Sequence, residues 1–94
     1  MILKKGEILI VGKWIKKGNS LIQDSECIRI QRIIDNCFKQ IDVNGNSWSA
    51  LYENPDDSSY WELTYPQSHM HGGGPPRLEH ISKLEASDRY KITE

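Results

Sequence analysis

One hydrophobic stripe restricts this chain more than any other feature. At the helical period, Cys27, Ile30, Ile34, Cys37, Phe38 and Ile41 fall within an arc of roughly 100°, with Ile33 on its flank. Arg32, Asp35, Asn36 and Lys39 occupy the other faces. A helix so patterned buries one side and wets the other, so it requires a cover. Asp24 or Ser25 can cap its N-terminus, Glu26 suits the first turn, and residues 42–46, with Gly45, provide an exit. The pattern predicts a helix near residues 25–41. Ile28 projects onto the polar face, where it either fills a contact with the N-terminal region or belongs to a partner surface.

The segments around that helix carry strand chemistry. Residues 7–15 are rich in Ile, Val, Leu and Trp and are interrupted by Gly12. Lys17, Gly18 and Asn19 then supply a turn before Leu21 and Ile22, which predicts an initial hairpin. After the helix, residues 47–53 place Trp48, Ala50 and Tyr52 on one period-two face and Leu51 on the other. Residues 54–59 form a polar turn, and residues 60–65 resume an aromatic strand with Trp61, Leu63 and Tyr65 towards the core and Tyr60, Glu62 and Thr64 away from it. Residues 77–81 return as a further strand. Ser82 caps a short terminal helix, with Glu85 at the capping-box position and Leu84 available for docking. The expected fold is α+β: a mainly antiparallel sheet packed against one principal α-helix, with a short C-terminal helix.

Length sets the scale of that core. A chain of 94 residues forms one modest core, burying about 60–65% of the surface its unfolded form exposes. The apolar residues are concentrated in readable segments, which argues against disorder despite a charged content of 27%. No apolar run approaches the roughly 18 residues of a membrane-spanning helix. The N-terminus has lysines but no long apolar stretch or small-residue cleavage site, so it reads as mature protein with cytoplasmic residence. Cys27 and Cys37 lie about 15 Å apart along the expected helix axis. No disulfide spans that distance, and buried free thiols suit a reducing compartment.

The segment YWELTYPQSHMHGGGPP, residues 60–76, runs an aromatic strand into two histidines, three glycines and two prolines. Glycine permits positive φ and close backbone approach, while each proline biases its predecessor towards extended geometry. A shaped loop follows, serving as a binding surface, a packed structural crossing or a flexible excursion. Charge is also segregated. Residues 1–20 carry five lysines against Glu7, whereas residues 40–76 contain no Lys or Arg and hold Asp42, Glu53, Asp56, Asp57 and Glu62. Uncompensated carboxylates repel nucleic-acid phosphates and suit a cationic protein cleft such as a nuclease's substrate site; a plain solvated acidic surface is the competing reading.

Motifs for catalysis are absent from the sequence. His69 and His71 form an HxH pair that His80 could approach, yet no spacing is diagnostic of a metal site. The glycines match neither a phosphate-binding loop nor a dinucleotide fingerprint. Neither a cofactor, a metal nor catalysis is expected.

At residues 60–76 the chain resembles immunity protein family 27 of bacterial polymorphic and contact-dependent toxin systems. Gly12, Lys13 and Trp14, then Trp48, Leu51 and Tyr52, and finally Ile81, Ser82 and Lys83 add to the resemblance. It implies a single immunity-protein-like domain over residues 1–94: a cytoplasmic antitoxin, made beside its toxin gene, that binds its cognate toxin one-to-one and is not a catalyst. The expected mechanism is occlusion of a toxin, a nuclease being the expected class, across an interface of about 1,600 Å². Glu53, Asp56, Asp57 and Glu62 would steer it, Trp48, Tyr52 and Tyr60 would supply contact area, and His69, Met70 and His71 would give local shape. A competing reading puts Trp48, Tyr52 and Trp61 in the core. The alternatives in function are a small cytoplasmic protein-interaction module, an RNA-binding protein and an uncharacterised enzyme; no membrane or nucleic-acid partner is expected.

Overall fold

Asp24 starts the principal helix as the sequence suggests. With extended backbone, it accepts the Cys27 N–H at 2.9 Å through its side chain, and helix α1 runs from Ser25–Asn36. The computed structural model describes residues 6–44, 48–66 and 74–92. Its strands are β1 (Leu9–Val11), β2 (Trp14–Lys17), β3 (Ser20–Gln23), β4 (Lys39–Asn44), β5 (Ser49–Asn54), β6 (Ser59–Thr64) and β7 (Arg77–Ile81), and a second helix, α2, spans Lys83–Arg89. Five strands form an antiparallel sheet in the order β1-β7-β6-β5-β4, while β2 and β3 make a separate two-stranded sheet. The fold is α+β, as expected.

The helix stops five residues before the expected position 41. The Cys37 and Phe38 N–H groups both close on the Ile33 carbonyl, at 2.9 and 3.0 Å, and Lys39 turns into β4. Phe38 and Ile41 fit the helical period, but pairing with β5 satisfies the backbone of residues 39–44 while Phe38 still reaches the core. Phe38 packs on Trp61 with ring centroids 5.5 Å apart.

Alternation along the central strands then builds two buried clusters, one on each face of the sheet, in place of the single core expected from length. On one sheet face, Ile30 and Ile33 of α1 meet Ile10, Ala50, Tyr52, Trp61, Leu63 and Leu78. On the other, Leu51 and Ile81 meet Ala86 and Tyr90, with Ile41, Tyr60 and Ile92 at the margin. Fully burying one such aliphatic side chain contributes about 1.5–3 kcal/mol. The capping box forms: Ser82 Oγ accepts the Glu85 N–H at 3.1 Å and Glu85 accepts the Ser82 N–H at 3.2 Å. Leu84, expected to dock the helix, is 74% exposed, because Ala86 and Tyr90 face the sheet instead.

The strand expected over residues 7–15 is broken into β1 and β2. Gly12 causes the break. Its N–H donates to the Pro76 carbonyl at 2.8 Å, and an added Cβ would stand 2.6 Å from Cys27 Sγ and 2.9 Å from Pro76 O. Here the chain crosses beneath the end of the glycine–proline segment, where Gly74 adopts φ 77°. The hairpin itself forms between β2 and β3.

Candidate docking surface

The acidic hairpin turn between β5 and β6 is a built structure. Asn54 is buried, and its carbonyl accepts the Ser58 N–H at 2.8 Å while its side-chain oxygen accepts the Asp56 N–H at 3.0 Å. Asp57 Oδ1 accepts both the Ser59 hydroxyl at 2.6 Å and the Ser59 N–H at 3.0 Å. Ser59 Oγ in turn accepts the Trp61 indole N–H at 2.9 Å, which ties the turn to the core. Ser58 takes φ 61°, the left-handed residue that lets the chain reverse. The Ser59 hydroxyl and amide hold the Asp57 carboxyl below its ordinary range, so it stays ionised near neutrality.

Asp56 and Asp57 are therefore exposed on a fixed scaffold, with half-buried Glu53 and Tyr60 facing each other in register just behind them. Two basic groups border this end: Lys39 opposes Glu53 across the sheet, and His80 stands edge-on to Trp61 at 5.4 Å.

The other expected contact residues lie elsewhere. Tyr52 is a core residue, 7% exposed, whose burial raises its phenol pKa and whose hydroxyl donates to Gln40 Oε1 at 3.4 Å. Glu62 is 8% exposed and is engaged from α2: Arg89 Nη1 stands 2.8 Å from one carboxylate oxygen, and the Tyr90 hydroxyl donates to the other at 2.8 Å. Its outward-pointing strand position misleads because α2 covers that face. Burial, reinforced by the carboxylate, pushes the Tyr90 phenol up to about 12. Sequence reasoning assigned no role to Arg89 or Tyr90; a lone carboxylate on an aromatic strand was the available signal that a donor must come from outside the sheet.

Trp48 sits at the opposite end of β5 from the acidic turn, a separation of about 20 Å for a six-residue strand. It is 59% exposed and holds φ 56°, a conformation that costs a bulky residue on the order of 1–3 kcal/mol. The expected contact set thus divides between two ends of the sheet and the interior. His69, Met70 and His71 lie outside the described residues.

Among the described residues, no group of three His, Cys, Asp or Glu side chains could hold a metal ion. Cys27 is buried, where burial raises its thiol pKa, and its Sγ donates to the Lys13 carbonyl at 3.3 Å. A depression of about 560 Å³ between β4 and α2 is open, and Asp42 within it already accepts the Lys91 N–H at 2.9 Å. A buried thiol with a raised pKa is not an activated nucleophile. No described helix is long and apolar enough to cross a membrane.

Neither a curated protein nor a solved structure gives a match to this chain. A family model does, over residues 16–82, which take in the distal half of β2, all of β3, α1, the sheet from β4 to β7 and the acidic turn. The chain belongs to the Immunity protein 27 family, whose role implies a toxin as partner.

Proposed function

We infer that this protein neutralises a nuclease toxin by binding it one-to-one, in the cytoplasm, and blocking its substrate site or a surface it needs. Residues 1–94 act as one binding unit that neither uses a cofactor nor catalyses a reaction. The observation carrying this reading is the acidic turn: Asp56 and Asp57 are exposed, held in place by Asn54 and Ser59, and set in a stretch of 37 residues without Lys or Arg. A preformed anionic projection mimics the charge of a nucleic-acid backbone and speeds encounter with a cationic cleft. Glu53 and Tyr60 extend that surface, whereas Trp48 is an exposed aromatic anchor at the other end of β5.

Coexpression tests the reading. Cells producing this protein survive the toxin encoded beside its gene and die from unrelated nucleases. Equal protection against every nuclease, or none against the neighbour, would remove the immunity assignment in favour of a general interaction module.

A further inference from the structure

The β2–β3 hairpin exposes apolar side chains on both of its faces. In its register Ile15 lies opposite Ile22 on one face, with Lys17 and Ser20 nearer the tip, while half-buried Trp14 and exposed Leu21 share the other with Lys16 and Gln23. Ile15 is 49% exposed, Leu21 57% and Ile22 42%. A two-stranded sheet by itself is at best marginally stable in water. Ordinary exposed hairpins keep at least one polar face.

Its base, by contrast, is tightly held. The Lys13 carbonyl accepts the Asp24 N–H at 3.0 Å and the Cys27 thiol at 3.3 Å, and the adjacent Gly12 N–H bonds Pro76. The hairpin is thus presented from a fixed root. Charge decorates it on one sign only: residues 8–23 contain Lys13, Lys16 and Lys17 and no carboxylate. Lys16 and Lys17 flank the distal turn, where Gly18 takes φ 62°.

We propose that the β2–β3 hairpin is a wedge that inserts into an apolar groove of the toxin, with carboxylates at the groove's deep end meeting Lys16 and Lys17. This rests on the immunity reading for the identity of the partner. Exposed Ile15 and Ile22 on one face and Leu21 on the other call for two walls, hence a groove and not a flat surface, and the lysines at the tip define the charge of its floor. Trp14, the planar side chain of the hairpin, is half-buried at its base, and exposed Ile15, Leu21 and Ile22 lack a face on which bases stack, so a protein groove suits them better than a nucleic acid. A second copy of the chain is a poor receptor, since its acidic turn is a polar, exposed projection.

Two variants test the wedge against the toxin domain encoded beside this gene, using purified proteins. Ile15→Thr/Ile22→Thr keeps β-branched side chains and strand propensity while removing apolar contact. It is expected to bind about tenfold or more weakly, mainly through faster dissociation, with an unchanged unfolding midpoint. Lys16→Glu/Lys17→Glu, at exposed positions, is expected to slow association at low salt and to converge on wild type at high salt.

If the wild type binds and both variants bind equally well, the wedge is overturned and the immunity reading stands. If the wild type fails to bind the toxin, both fall together. Hairpin-dependent dimerisation, or hairpin-dependent binding to anionic phosphatidylserine vesicles or to a single-stranded RNA oligonucleotide while toxin binding persists unchanged in the variants, assigns the surface to another occupant and overturns the proposal.

Discussion

Gly12→Ala adds a single methyl group where the structure has no room for one. The new Cβ would lie 2.6 Å from Cys27 Sγ, 2.9 Å from Pro76 O and 3.2 Å from Pro76 Cδ. Gly12 is outside the left-handed region, so the penalty comes from contact and not from φ. Relaxation is restricted because the neighbours are themselves bound: Gly12 N–H holds Pro76 O at 2.8 Å, and Cys27 Sγ donates to the Lys13 carbonyl. Overpacking of one methyl typically costs about 1–3 kcal/mol, and with two sub-contact distances the upper end, about 3 kcal/mol, is expected. At roughly 4–8 °C per kcal/mol for a domain of this size, the midpoint should fall by about 12–24 °C. Urea unfolding measures the change directly. Cys27→Ala in the same chain removes the sulfur clash but leaves Pro76 O, so the double variant should recover about 1 kcal/mol relative to the sum of the single changes. An unchanged urea midpoint in Gly12→Ala, or strictly additive effects, would refute the crossing as described.

Other consequences concern the two cores and the helix caps. Ile33→Ala empties a fully buried site beneath α1 and should cost about 2–5 kcal/mol by urea unfolding, against less than about 0.5 kcal/mol for Leu84→Ala on the exposed face of α2. Tyr90→Phe removes a buried donor to Glu62 and should cost about 1.5–3 kcal/mol. Because the folded pKa of Tyr90 is raised from 10.0 to about 12, its stabilisation is complete below pH 10 and is lost as pH rises towards 12; Tyr90→Phe should shrink that alkaline loss in a pH series of thermal unfolding. In acid the sign reverses. Lys91 N–H lowers the Asp42 pKa, the Ser59 hydroxyl that of Asp57 and Ser82 N–H that of Glu85, so their contributions persist above the ordinary carboxylate values of 3.8 and 4.5 and drain away as pH falls below them.

Local chemistry made parts of this fold legible. Ser82 and Glu85 are three residues apart and cap the helix they open, and Asp24 does the same for α1. Alternation placed Trp61 and Leu63 towards α1 and Leu51 towards the opposite face. Long-range competition hid the rest. Residues 39–44 show no clean alternation, since the pairing with β5 slips between Gln40 and Asp42, and Phe38 and Ile41 therefore looked like a continuation of the helix. Glu62 looked like surface because its partners Arg89 and Tyr90 are 27 and 28 residues away. The same distance problem affected the docking residues. Charge segregation marked the turn at Asp56 and Asp57, yet only packing reveals that Tyr52 is committed to the core and that Trp48 stands at the far end of the strand.

The acidic turn carries the account, and Asp56 offers the cleanest access to it. Among the described residues no group bonds the Asp56 side chain; its backbone N–H makes the turn contact to Asn54, so Asp56→Lys leaves that scaffold intact. Asp57 accepts Ser59, which makes Asp56→Lys/Asp57→Lys the stronger but less conservative change, shifting the formal charge from −1 to +3. The decisive measurement is the association rate of the folded wild type and both variants with the neighbouring toxin, across ionic strength, with thermal unfolding in parallel. The account predicts slower association at low salt, steeper for the double variant, a difference that fades as salt screens the charges, and weaker protection with little loss of stability from Asp56→Lys. Association by Asp56→Lys and the double variant at the wild-type rate in low salt would contradict it.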